Sequence, residues 1–143
     1  MAVDIEQLQA WGANLLVSLM QHHEFGQLQV PMLGKQILQA GIDWMHLPIV
    51  DGGEPDRHFE QQWLSAWPAI AARLQAGERV VLHCRGGLGR TGTVAGMILI
   101  ETGLGSAEAI RKVRRARPDT IENRLQENYL HRYVPLAARG CSR

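Results

Sequence analysis

Cysteine is scarce in this chain, where only Cys84 and Cys141 occur among 143 residues. Cys141 stands almost at the C-terminus, so a framework of disulfides is not expected. Chains without such a framework are typical of a reducing compartment, and we predict a cytoplasmic location.

Long apolar runs and an excess of one charge are also missing. The longest apolar stretch, residues 94–100, contains Gly96 and is far shorter than a membrane span requires. No secretory leader is expected, because Asp4 and Glu6 precede any apolar run. The formal net charge of +1 predicts no general attraction to nucleic acid or to a membrane.

Metal-ligand spacing is a further absence. The histidines, His22, His23, His46, His58, His83 and His131, are not arranged with one another or with cysteines in a recognised ligand pattern. We therefore predict neither a metal ion nor another cofactor.

Glycines and prolines divide the sequence into alternating strands and helices. Buried strands are predicted at 14–20, 42–50 and 79–83, the last with the continuous Val and Leu content of a central parallel strand. Helices are predicted at 5–11, 32–40, 59–74, 91–102, 107–117 and about 122–136. Pro68 is expected to kink or divide the third helix, and Ser106 to cap the fifth. This alternation predicts one α/β domain over residues 1–143, with a mostly parallel central sheet flanked by helices.

The stretch HCRGGLGRT joins the third predicted strand to the following helix. Its glycines let successive backbone N–H groups form an anion-binding nest, to which the helix N-terminus adds its positive end. The predicted phosphate-binding residues are Arg85, Gly86, Gly87, Leu88, Gly89 and Arg90. Arg90 can grip two phosphate oxygens at once.

The same field favours Cys84 as a thiolate. A thiolate that faces a bound phosphate can attack phosphorus and form a phosphocysteine intermediate. Thr91 can donate its hydroxyl to the sulfur when sulfur becomes the leaving group. We expect His83 to fix the loop by hydrogen bonds rather than to take the proton.

This reaction needs a general acid for the departing oxygen. The loop DGGEPD follows the second predicted strand and offers Asp51, Glu54 and Asp56. Because ligands of open parallel sheets lie beyond the carboxyl ends of the strands, this loop and Cys84 are expected at the same edge.

The pattern His83-Cys84, five further residues and Arg90-Thr91 resembles the signature of the cysteine-dependent protein tyrosine and dual-specificity phosphatases. Within that family the chain resembles the kinase-associated phosphatase type. The similar segments are HCRGGLGR, LPIVDGGEPD, VPMLGKQILQAGI and ENYLHRY. The resemblance covers roughly residues 14–133 and implies a protein tyrosine phosphatase-like fold with inorganic phosphate as the product.

The resemblance also implies roles for single residues. Cys84 would be the nucleophile, Arg90 the clamp on the phosphate and Asp51 the general acid, with Asp56 as the second choice. Gln126 would lie near the site and place water. Family members usually carry another strand before the first helix, so the sheet is expected to be one strand short or the true start to lie upstream.

Three functions follow from these observations. The first is hydrolysis of phosphomonoesters of proteins, on phosphotyrosine and, since no long insertion deepens the pocket, also on phosphoserine or phosphothreonine. The second is hydrolysis of small-molecule or lipid phosphates, which the single loop charge, Arg85, disfavours because such family members carry lysines there. The third is a phosphate-binding module without turnover. A sulfur transferase is disfavoured by the spacing from Cys84 to Arg90.

Overall fold

A computed structural model of the chain describes residues 4–139. Its helices and strands are, in chain order, α1 (Ile5–Trp11), β1 (Ala13–Ser18), α2 (His22–Gln27), α3 (Leu33–Gln39), β2 (Asp43–His46), α4 (Arg57–Gln75), β3 (Arg79–His83), α5 (Gly89–Glu101), α6 (Ser106–Ala116), α7 (Arg124–Arg132) and α8 (Leu136–Arg139). The predicted α/β class is confirmed. Cys141 lies outside the described residues.

The sheet has three parallel strands in the order β2-β1-β3. Alternate residues of β1 face opposite sides, so Leu15 and Val17 enter one apolar core while Leu16 enters the other. The prediction that residues 79–83 form the central strand is wrong, because β3 lies at an edge of the sheet and is only partly buried. The apolar content of a strand does not determine its place in the sheet, which depends on the neighbours that pack beside it.

The second strand is shorter than predicted, since β2 ends at His46. Backbone bonding to the chain after β1 nevertheless continues, with Leu47 N–H donating to Ser18 O at 2.9 Å and Ile49 N–H to Leu19 O at 2.9 Å. Pro48 between them has no N–H to donate. This extended segment holds the DGGEPD loop at the carboxyl edge of the sheet.

Helix α4 runs unbroken through Pro68, so a division there is not observed. Its buried side chains include Phe59, Trp63 and Ile70, and they lie on both sides of the proline along the helix. Burial of these large side chains outweighs the cost of one interior proline, which is about 3 kcal/mol.

Two predictions near the C-terminal end are wrong. Ser106 is the first residue of α6 rather than its cap, and its hydroxyl contacts His131 Nδ1 at 2.8 Å instead. The predicted helix over 122–136 is two helices, α7 and α8, separated by a break that contains Pro135. Asn123 caps α7 by accepting from Gln126 N–H at 2.9 Å.

Helix α2 was not predicted. Its sequence HHEFGQ is short and contains a glycine, so it shows little helical periodicity. Its first turn is closed by Glu24, whose Oε2 accepts from Gln21 N–H at 2.8 Å. Among the described residues no helix is long and apolar enough to cross a membrane.

Candidate active site

The loop between β3 and α5 surrounds the sulfur of Cys84. Cys84 directly follows β3 and is 3% exposed. Its Sγ accepts hydrogen bonds from Gly87 N–H at 3.2 Å and from Thr91 Oγ1 at 3.0 Å. Two donors on one sulfur stabilise its anion, which is the form that acts as a nucleophile.

Two glycines of this loop are required by its geometry. Gly87 has a φ of 75°, a left-handed conformation that other residues adopt only with strain. At Gly89 an added Cβ would lie 2.5 Å from Glu122 Oε1 and 2.8 Å from Gln126 Nε2. A side chain at either position would therefore distort the loop or displace its neighbours.

Arg90 is buried beside this loop and is held by three other segments. Its Nη1 donates to Glu24 Oε2 at 2.8 Å and to Ile49 O at 2.9 Å. Its Nη2 donates to Glu24 Oε1 at 3.0 Å and lies 3.5 Å from Asp51 Oδ1. Burial alone would lower the pKa of Arg90, but the hydrogen bonds and charge of Glu24 outweigh it, and the pKa is raised. The guanidinium is therefore a fixed positive charge.

The candidate acids of the DGGEPD loop occupy different surroundings. Asp51 has an exposed side chain that approaches Arg90, whereas Asp56 caps α4 by accepting from Phe59 N–H at 2.8 Å. Glu54 forms an ion pair with Arg132. Of the three carboxylates, Asp51 is therefore the one in contact with the loop arginine.

The N-terminal end of α7 is hydrogen-bonded to the DGGEPD loop. Asn123 Nδ2 donates to Gly52 O at 2.8 Å, and Gln126 Nε2 donates to Gly53 O at 3.2 Å. The other end of the Gln126 amide accepts from Glu122 N–H at 3.1 Å. Gln126 is fully buried and connects the DGGEPD loop to α7 by this hydrogen bond. Its role in placing water stays a prediction.

His83 is the last residue of β3 and directly precedes Cys84. Its Nε2 is hydrogen-bonded to Ser18 Oγ, which also accepts from Trp44 Nε1 at 2.8 Å. Burial, with the charges of Arg90 and His46, lowers the pKa of His83 to about 4. The ring is therefore neutral at pH 7. Its Nε2 bond reaches Ser18 of β1 rather than the loop, so the role of His83 in fixing the loop stays a prediction.

Replacement of His83 by glutamine tests this burial. In the folded protein the pKa of His83 is about 4, whereas an ordinary histidine has a pKa of 6.5. Between these two pH values the unfolded state therefore binds more protons than the folded state. Relative to H83Q, the unaltered chain should lose about 3 kcal/mol of unfolding free energy as the pH falls from 7 to 4. Denaturant unfolding of both proteins at several pH values measures this difference, and parallel pH profiles would contradict a buried neutral ring.

The other residues of the loop after Cys84 are exposed or bonded to neighbouring segments. Arg85 is exposed, and its Nη1 donates to Gln27 Oε1 of α2 at 3.1 Å. Leu88 precedes α5, and its carbonyl accepts from Ile121 N–H at 3.0 Å. Gly86 is exposed. Residues 4–139 contain no cluster of histidine, cysteine and acidic side chains that could hold a metal ion.

Sequence reasoning missed Glu24, although a signal was present. Glu24 follows the end of β1, as Asp51 follows β2 and Cys84 follows β3. The rule that sites gather beyond the carboxyl ends of parallel strands applies to all three strands. It was applied only to the second and third, because α2 was not recognised.

A family model described as a polymorphic toxin system DSP-PTPase phosphatase matches residues 1–104. The mouse protein cyclin-dependent kinase inhibitor 3 is 31% identical over 132 residues, which are 91% of this chain and 61% of that protein. Human protein tyrosine phosphatase type IVA 3 is 31% identical over 131 residues, 92% of this chain and 70% of that protein. The chain thus spans less than two thirds of the length of the mouse protein.

Solved structures give the same result. Kinase associated phosphatase, with serine in place of its catalytic-site cysteine, superposes with a TM-score of 0.83 at 27% identity. The match covers 98% of this chain and 77% of that one. The active form of Tk-PTP matches with a TM-score of 0.76 at 29% identity, over 93% of this chain and 89% of that one.

Proposed function

Because this chain belongs to the DSP-PTPase family of dual-specificity and protein tyrosine phosphatases, we propose that it hydrolyses phosphomonoesters of proteins through a phosphocysteine intermediate. One observation carries the proposal. The buried Cys84 sulfur accepts two hydrogen bonds in a glycine-rich loop, and the next helix places the buried guanidinium of Arg90 beside that loop. A sulfur anion next to an anion-binding nest is what transfer of a phosphoryl group to sulfur requires.

In the first step the Cys84 sulfur attacks phosphorus, the bond from phosphorus to the ester oxygen breaks, and Asp51 gives its proton to that oxygen. A water then attacks the phosphocysteine, and the carboxylate of Asp51 takes the water proton. The bond from sulfur to phosphorus breaks, and inorganic phosphate leaves. Thr91 Oγ1, 3.0 Å from the sulfur, stabilises the departing thiolate.

Arg90 has the hydrogens needed to hold the transferring group. Glu24 and Ile49 O engage both hydrogens of Nη1 and one of Nη2. The Nε hydrogen and the second hydrogen of Nη2 are not used by these partners, and they lie on one edge of the guanidinium. That edge can make a bidentate contact with two phosphate oxygens.

Charge near the loop supports a phosphoprotein substrate over polyphosphorylated lipid or sugar groups. Arg85 is the one charged residue among 85–89, and its side chain is directed to Gln27. Outside the loop, the Glu122 carboxylate lies against Gly89 and the Arg117 guanidinium lies against Gly87, so these two neighbouring charges oppose each other.

Turnover by the unaltered chain tests the function. We expect hydrolysis of para-nitrophenyl phosphate, and among natural substrates a higher kcat/KM for phosphotyrosine peptides than for inositol phosphates or nucleotides. Phosphoserine and phosphothreonine peptides belong in the same panel, because they distinguish tyrosine from dual specificity. No turnover of any substrate would favour a phosphate-binding module, and preference for inositol phosphates would overturn the protein substrate.

A further inference from the structure

The backbone is strained at Ile121, in the segment between α6 and α7. Ile121 has a φ of 56°, a left-handed conformation that is uncommon for any residue with a side chain and an outlier for a β-branched one. Its side chain is 2% exposed and belongs to the apolar core. Strain of this kind persists only where the surroundings impose it, and it gathers at functional sites.

Arg114 of α6 holds the strained segment in place. Its Nε donates to Thr120 O at 3.1 Å, and its Nη2 donates to Ile121 O at 3.0 Å. The same Nη2 donates to Glu127 Oε2 of α7 at 3.0 Å. The hydrogen bond from Arg114 lowers the pKa of Glu127, so this carboxylate is charged at neutral pH. Arg114 therefore fixes two consecutive carbonyls of the segment, and an ion pair fixes Arg114.

Gly92 lets the strained segment lie directly against the first turn of α5. A Cβ added at Gly92 would lie 2.8 Å from Ile121 N and 3.0 Å from Thr120 Cβ. The approach is possible only because glycine has no Cβ. The backbone of Ile121 is therefore packed against the helix that begins at the end of the cysteine loop.

This packing produces a hydrogen bond to the cysteine loop. Ile121 N–H donates to Leu88 O at 3.0 Å. The peptide bond between Leu88 and Gly89 is trans, so its C=O and N–H point in opposite directions. Gly89 N–H therefore points away from Ile121. As the first residue of α5, Gly89 also has no carbonyl of its own helix as an acceptor, so its N–H is available to an anion.

We propose that Arg114 is a positioning residue, which keeps the Leu88 carbonyl on Ile121 so that Gly89 N–H faces the phosphate before substrate binds. This inference rests on the proposed phosphatase function, in which the loop N–H groups hold the transferring group. A donor fixed in advance needs no reorganisation when charge develops on the phosphoryl oxygens. If the peptide rotated, the carbonyl oxygen would face the phosphate instead and repel it. Arg114 does not touch substrate and acts only through the backbone of residues 120–121.

Replacement of Arg114 by lysine tests the proposal. Lysine keeps the charge, but its single nitrogen cannot reproduce the fork of donors that binds Thr120 O, Ile121 O and Glu127. The Arg114 side chain is 39% exposed, so the variant should fold. We expect the affinity for inorganic phosphate, measured by calorimetry, to fall about tenfold, as loss of one hydrogen bond to a charged group does. The kcat on para-nitrophenyl phosphate should fall by about tenfold or more.

The amide of Gly89 gives a readout that a merely structural role would not move. In the unaltered chain we expect its proton resonance to move downfield when phosphate is added, and in R114K this shift at saturating phosphate should be smaller. Neither this measurement nor calorimetry needs turnover. An unaltered chain that binds phosphate without turnover would therefore overturn only the proposed function, whereas one that binds no phosphate would overturn both proposals.

Arg73 provides a matched control. It also joins separate segments, because its Nη1 donates to Glu78 Oε1 at 3.0 Å and it forms an ion pair with Asp43. These contacts lie at the amino ends of β3 and β2, away from the candidate site. R73K should lower the melting temperature but leave kcat and phosphate affinity unchanged. If R114K behaves like R73K, Arg114 has only a structural role and the proposal is wrong.

A second variant disturbs the same hydrogen bond without altering Arg114. In G92A the new Cβ must push the Ile121 peptide away, so the losses of kcat and phosphate affinity should resemble those of R114K. The double variant should bind phosphate little more weakly than either single one, since both changes remove the same hydrogen bond. If folded G92A binds phosphate normally, or if the two losses simply add, the proposal is wrong.

Discussion

Replacement of Cys84 by serine should lower the turnover of para-nitrophenyl phosphate by on the order of 10⁶-fold, as loss of a covalent nucleophile does. The hydrogen bonds from Gly87 N–H and Thr91 Oγ1 stabilise an anion on sulfur. A serine hydroxyl holds its proton far more tightly than a thiol, so the same two donors leave it un-ionised at neutral pH. The first chemical step then has no nucleophile.

The C84S variant should still bind inorganic phosphate. The groups proposed to hold phosphate, which are the loop N–H groups and Arg90, are unchanged by an exchange of sulfur for oxygen. Calorimetry with phosphate and a thermal melt therefore serve as controls for the fold. Turnover retained in C84S would exclude the phosphocysteine route, and loss of phosphate binding together with turnover would point to a distorted loop instead.

Replacement of Asp51 by asparagine should lower kcat by about 10²- to 10⁴-fold, the usual contribution of general acid–base catalysis. The amide is close in shape to the carboxylic acid but cannot give a proton to the leaving oxygen. Asp51 lies 3.5 Å from Arg90 Nη2 and is 68% exposed, so its loss should leave the fold intact. Aryl phosphates with poor leaving groups should show the largest fall, because they depend most on protonation.

Asp56 is the matched control for this variant. It lies in the same loop, but its carboxylate caps α4 through Phe59 N–H. Asparagine is a comparably good cap, so D56N should change neither stability nor kcat appreciably. If D56N is slow while D51N is fully active, the general acid is Asp56, and the assignment made from the loop geometry is wrong.

Much of the site could be predicted because its chemistry is local in sequence. Cys84, Arg90 and Thr91 lie within eight consecutive residues, from the end of β3 to the start of α5, and their spacing together with the glycines is enough to indicate an anion nest. Asp51 could be placed near them because strand ends of a parallel sheet share an edge. The helices α1 and α3 could be predicted nearly to their ends, since glycines follow them closely in sequence.

The errors came from interactions between residues distant in sequence. Burial of the apolar side of α4 overrides Pro68, and the order β2-β1-β3 places the strand that precedes Cys84 at an edge. Helix α2 has weak intrinsic propensity and is held partly by contacts of Glu24 with Arg90. Contacts of this kind produce neither a hydrophobic periodicity nor a short motif that could be recognised in the sequence.

The sequence by itself determined the glycine-rich loop after β3, since backbone conformation around glycines depends on neighbouring residues. It also determined the alternation of strands and helices, which follows from apolar periodicity. Only the tertiary structure decided which carboxylates reach the arginine. The contact of Glu24 and Asp51 with Arg90 depends on how β1, β2 and β3 lie side by side, because packing, not spacing along the chain, brings their ends together.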